Sequence, residues 1–135
     1  NIASMHAKKE HYEQALALGL WLKHYMEGNV IDESEKRSKY PMIVYNLSNW
    51  FGRMGKPEES LREADTGIAF CIGHGCLMLF PVLHFNRGCA LAELGDIEGA
   101  KKAFHQSTVL FEVTGQEERV TRTAELCKEH YQIEI

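Results

Sequence analysis

The chain has 135 residues, is 44% apolar and carries a formal net charge of −4 with its histidines neutral. That content supports one domain with a buried core, and the charge has the wrong sign for a nucleic-acid surface, which presents a basic stripe. The longest apolar run, Cys76 to Leu83, falls well short of the roughly 18–20 residues that cross a bilayer, and no basic segment followed by an apolar one marks a secretory leader.

Eleven glycines against three prolines suit helices better than strands. Apolar periodicity predicts helices over 1–8, 11–27, 35–54, 57–73, 77–94, 97–113 and 116–131,. The pattern is already helical at Asn1, with no cap before it. This reads as a fragment of a longer protein. Gly28 to Glu33 is the most loop-like stretch. The polar segment Ser34 to Lys39 runs into Pro41, which predicts a kinked helix there. In Gly55-Lys56-Pro57 the glycine closes one helix and the proline suits the first turn of the next,. Gly73 to Gly75 forms the next joint.

Leu83, Phe85, Ala90, Leu91 and Leu94 then recur at helical spacing up to Gly95, where a left-handed residue ends the helix. Asp96 or its neighbour caps the following helix. Ile97, Ala100, Ala103 and Phe104 form its expected inward stripe, and the two alanines permit close helix approach. The last helix carries Val120, Ala124, Leu126, Cys127 and Tyr131 on one side. It is expected to cover the end of the stack, as terminal repeats must.

The segment from Pro41 repeats from Pro81. Tyr45 meets Phe85, Asn46 meets Asn86, Met54-Gly55 meets Leu94-Gly95, and Glu58 meets Glu98, all at an offset of 40 residues. A partial third copy lies upstream. There His11-Tyr12-Glu13-Gln14-Ala15 matches Asp96-Ile97-Glu98-Gly99-Ala100, with Glu13 lying 45 residues before Glu58. The repeats therefore span about 1–27, 35–73 and 77–113, followed by a capping helix over 116–131, within a single domain over 1–135.

The Gly95-Asp96-x-Glu98-x-Ala100 element, its weaker copies at Gly55 and Tyr12, and the small residues Ser48 and Gly88 resemble the tetratricopeptide repeat. The resemblance implies an all-α, right-handed superhelix of antiparallel helix pairs, about seven helices in all, with a C-terminal capping helix. The period departs from the family's usual length of about 34 residues; here it is 40 to 45 residues. The usual first-helix tryptophan and closing proline are absent. With Tyr40 to Trp50 and Asn86 to Gly95, this long-period variant is similar to the C-terminal sensor region of Gram-positive helix-turn-helix transcription regulators of the Rgg/PlcR type. That likeness covers nearly the whole chain.

It implies a ligand-sensing, self-associating domain that takes a peptide or protein segment in a concave groove. Its DNA-binding domain lies outside this chain, so no direct nucleic-acid contact is expected of this part. A homodimer is expected from the resemblance and from the apolar last helices. The alternative is a scaffold or adaptor repeat domain without a DNA-binding output.

The groove is predicted at Asn46, Asn49, Arg53 and Asn86, with Tyr45 and Phe85 on its floor. An amide there pairs with both the N–H and the C=O of a bound backbone, and Arg53 adds a carboxylate or carbonyl contact. The competing reading has the asparagines tying one hairpin to the next, and Phe85 and Trp50 as ordinary inter-repeat core. His84, beside Phe85, also falls within reach of this face.

Cys71, Cys76, Cys89 and Cys127 match no zinc or disulfide framework,. Cys71, His74 and Cys76 lack the second pair that a structural zinc needs. Free thiols without a leader suggest a cytoplasmic location. No phosphate loop, His-Glu-x-x-His or Gly-x-Ser-x-Gly element occurs,. No cofactor, metal or membrane is expected, and the chain is read as non-enzymatic.

Overall fold

A computed structural model describes the backbone from Ile2 and the side chains from Lys9 to Ile135. The expected helix start at Asn1, and the contacts of Ile2 to Ala7, lie outside the described residues. Among the described residues there are six helices and no strand. They are α1 (Ile2–Gly28), α2 (Glu33–Arg53), α3 (Pro57–His74), α4 (Phe80–Glu93), α5 (Ile97–Val113) and α6 (Glu117–Tyr131).

Two expected helices, 1–8 and 11–27, are one. The segment Ala7-Lys8-Lys9-Glu10 contains only good helix formers, so nothing there breaks the backbone ladder. The helix expected from residue 77 starts at Phe80 instead, because Leu77 to Leu79 form a turn ahead of Pro81. Proline disfavours the helical conformation in the residue before it and is best tolerated in a first turn. Pro41, by contrast, is buried inside α2.

The caps follow from side chains. Asp32 accepts a hydrogen bond from the Glu35 N–H at 3.3 Å and Asp96 one from the Gly99 N–H at 2.9 Å. Each satisfies one of the unpaired donors of a first helical turn.

Successive helices pack antiparallel. Along α2 and α3, Ser48 meets Ser60, Tyr40 meets Phe70 and Glu33 meets His74, one index rising as the other falls. Gly19 of α1 lies under Leu47 and Trp50 of α2, with Leu47 fully buried and Trp50 half-buried. In α4 the backbone at Gly88 runs so close to α5 that a Cβ there would stand 2.6 Å from the Phe104 ring. Ala100 and Ala103, the small residues expected to permit close helix approach, are buried beside it. Ile97 and Leu94, expected inward, are each 40% exposed.

One core cluster holds Leu91, Ala100, Ala103, Phe104, Cys127 and Ile133. A second, at the other end, holds Met26, Tyr40 and Val44. Beyond sequential neighbours, α2 also touches α4. No helix among the described residues is long and apolar enough to cross a membrane.

Candidate functional site

The α2–α4 contact opens into a groove of about 730 Å³ whose far wall is α6. Ser48, Asn49, Gly52 and Arg53 of α2 form one side. Phe85, Asn86, Cys89, Ala90 and Glu93 of α4 form the floor, and Leu126, His130 and Tyr131 of α6 close it. Pro57 and Ser60 of α3 underlie the α2 side.

Four residues singled out from the sequence therefore share this groove: Asn49, Arg53, Phe85 and Asn86. The other two, Tyr45 and Asn46, stand a turn earlier on α2 and do not line it. Equal repeat position does not mean equal depth here. The groove meets α2 along its last two turns but reaches α4 already at Phe85.

Phe85 also belongs to the core, with its ring 5.5 Å from Phe104. His84 lies outside the groove. Its ring packs at a tilt against Phe80, with centroids 4.9 Å apart, and its Nε2 is buried without a partner. Burial, and then the nearby Arg87, lower its pKa, with Asp65 partly opposing,.

The floor has one unmet polar demand. Asn86 is 8% exposed, and its Nδ2 is buried with no hydrogen-bond partner. Leaving a buried amide donor unpaired costs about 1–3 kcal/mol. Ser48 and Ser60, next to it, satisfy each other. The rim is polar: Arg53, Glu93 and His130 are exposed. Among the described residues none of these three enters an ion pair.

The α4–α6 wall stays uncharged. Burial pushes the Cys89 thiol up to about 11, against a hydrogen bond from Tyr131 that lowers it. Burial, then Cys89, push Cys127 up to about 12. The Tyr131 hydroxyl is raised by burial and then by Cys89. Near neutral pH the groove thus offers an apolar and aromatic wall and a mixed-charge rim, with the unpaired Asn86 amide donor buried at its floor.

Leu126, His130, Tyr131, Cys89 and Glu93 were missed from the sequence. Their spacing is ordinary helical spacing. Only the placement of α6 beside α4 turns them into a wall. Among the described residues no group of three or more His, Cys, Asp or Glu converges as a metal site, and His74 faces Glu33 rather than the cysteines.

The chain matches no protein-family model, no curated protein and no solved structure.

Proposed function

We propose that the chain is a non-enzymatic binding module that takes an extended peptide or protein segment in the groove between α2, α4 and α6. The unpaired Nδ2 of Asn86 carries this reading. A buried donor at the floor of an open groove is completed by an acceptor that arrives with a ligand. A peptide carbonyl supplies that acceptor. Asn49 offers a second amide about one helix away, Arg53 a cation, and Phe85 and Tyr131 apolar surface for alternate side chains.

The regulator role is carried by the resemblance to helix-turn-helix sensor regions. In that reading a bound segment bridges α2 and α6 and shifts the population of helix arrangements, which is passed to a DNA-binding domain elsewhere in the protein. Self-association is part of the same proposal, but through a different face from the one first expected. The apolar residues of α6 turn inward and its exposed positions are polar. The exposed apolar stripe lies on α1, where Leu18 is 60% and Trp21 61% exposed and Trp21 stacks on Tyr25.

The test is a displayed library of linear peptides panned on the wild-type chain, followed by calorimetry with the consensus peptide. Asn86→Ala and Asn49→Ala should each weaken binding at least tenfold while the helical signal is retained. Enrichment of no sequence, or a consensus that binds both variants as tightly, sinks the groove reading. The complete reading frame separates regulator from adaptor: a helix-turn-helix before Asn1 supports the first, and another domain there supports the second.

A further inference from the structure

The corner between α3 and α4 holds two thiols that the groove does not use. α3 ends at His74, and Gly75 follows at φ 68° and ψ 31°, in the left-handed region. The Cys76 N–H then reaches back to the Cys71 carbonyl at 3.1 Å. This is the long closure of a helix C-terminus. In a continuing helix, residues five apart point away from one another. The closure instead brings positions 71 and 76 side by side. Disulfide formation requires Cα atoms within about 4.4–6.8 Å and converging Cβ bonds, and this closure characteristically brings the side chains of these two positions into contact. Cys71 is 1% exposed, and Cys76 is half-buried at the surface. Cys89 and Cys127 lie on α4 and α6, and the Cys89 thiol is engaged by Tyr131.

We propose that Cys71 and Cys76 form a reversible redox couple in which Cys76 is oxidised first and Cys71 resolves it. The oxidant is a hydroperoxide. The Cys76 sulfur attacks the peroxide, the O–O bond breaks, and Cys76 becomes a sulfenic acid with release of water when the oxidant is hydrogen peroxide. The Cys71 sulfur then attacks the Cys76 sulfur. The S–S bond forms, the S–O bond breaks, and the Cys71 proton leaves with the hydroxide as a second water. In sum, two thiols lose two electrons and two protons, and one peroxide is reduced to two waters.

Burial sets the order of events. It pushes the Cys71 thiol up to about 12, with Cys76 adding to the rise, so the more accessible sulfur reacts first. The disulfide is uncharged and suits the buried corner. That corner is also where α2 holds the chain: Glu33 pairs with His74 at 2.6 Å, and Arg37 donates to the Gly75 carbonyl at 3.3 Å. A covalent closure there restricts the unfolded chain. The oxidised form is therefore the more heat-stable one.

The experiment uses the intact chain treated with hydrogen peroxide, then iodoacetamide in denaturant, then trypsin. Both thiols fall in the single peptide Glu63 to Arg87, which contains no other cysteine. The expected product is that peptide two hydrogens lighter and unalkylated. Dithiothreitol should restore two alkylatable thiols, and the oxidised chain should melt a few degrees higher than the reduced one. In Cys76→Ser the Cys71 thiol should remain alkylatable after peroxide. The proposal is overturned by a doubly alkylated wild-type peptide, by Cys76 sulfinic acid with Cys71 still free, or by a bridge to Cys89 or Cys127. The wild-type readout stands even if a variant folds poorly.

Discussion

Ser48 and Ser60 hold α2 against α3 through two crossed hydrogen bonds. The Ser48 hydroxyl donates to the Ser60 carbonyl at 2.9 Å, and the Ser60 hydroxyl donates to the Ser48 carbonyl at 2.8 Å. Both residues are buried, and both border the groove. Each carbonyl is also positioned for its own helix ladder, so removing one hydroxyl strands no strong acceptor. Ser48→Ala and Ser60→Ala should each cost about 1 kcal/mol. The double variant should cost less than the two single losses together, because the pair acts as one unit. Urea unfolding of the four-member cycle checks this. Strict additivity would mean that the hydroxyls act independently.

Asn86 should show the opposite balance between stability and binding. Its Nδ2 is buried and unpaired in the free chain. Replacing it with an apolar residue of similar volume removes that penalty, and Asn86→Leu should stabilise the free chain by about 1 kcal/mol. The same change should abolish binding of the consensus peptide. A loss of stability in Asn86→Leu would show that the amide is satisfied in the free protein, for instance by an ordered water.

Gly88 fixes the distance between α4 and α5. A methyl group there would press on the face of Phe104, itself fully buried. Gly88→Ala should destabilise by about 1–3 kcal/mol through overpacking, despite the better helix propensity of alanine. Adding Phe104→Leu should recover part of that loss. Thermal melts of the single and double variants decide it. A double variant less stable than Gly88→Ala alone would place the strain elsewhere.

What was legible in the sequence was whatever depends on a residue's near neighbours. The Asp96 cap, the turn at Gly95 and the span of α5 follow from local backbone chemistry, and the structure places them as read. The repeat offset paired the small residues Ser48 and Gly88, and the structure puts a close helix approach at Gly88. What required the structure was lateral: which helix lies beside which, and at what stagger. Asn46 and Asn86 share a repeat position, yet only Asn86 reaches the groove, because helices in neighbouring repeats are cut at different depths. His130 and Tyr131 looked like ordinary residues of a terminal helix until α6 was seen to wall the groove. The fusion of the first two expected helices has a simpler cause: alignment to a repeat implied a turn where the local sequence has no breaker.

Lys23 and Glu63 bridge α1 to α3 at 2.9 Å, past the helix between them, with side chains 14% and 6% exposed. The Oε2 of Glu63 has no partner. A buried ion pair contributes little net stability, since desolvation offsets the attraction, but losing one partner leaves a charge stranded. Lys23→Met should therefore cost about 3 kcal/mol or more. Lys23→Met with Glu63→Leu should be close to wild type. Urea midpoints for the three chains test this. A double variant as unstable as Lys23→Met would show that Glu63 is needed for something other than its cation.

His84 predicts an acid sensitivity whose sign follows from its surroundings. Burial, and then Arg87, favour the neutral imidazole in the folded chain, with Asp65 as a partial counterweight. The unfolded chain takes up this proton at the usual histidine value of about 6.5. Below that value the unfolded state binds more protons than the folded one, so the contribution of His84 is complete above about pH 6.5 and is lost as pH falls toward its lower folded pKa. The melting temperature of the wild type should drop between about pH 7.5 and about pH 5 more than that of His84→Leu. Measuring both chains in parallel cancels the other histidines, including His74 beside Glu33. If the two curves run parallel through this range, His84 is reached by water when it protonates, and the unpaired Nε2 does not act as a buried base.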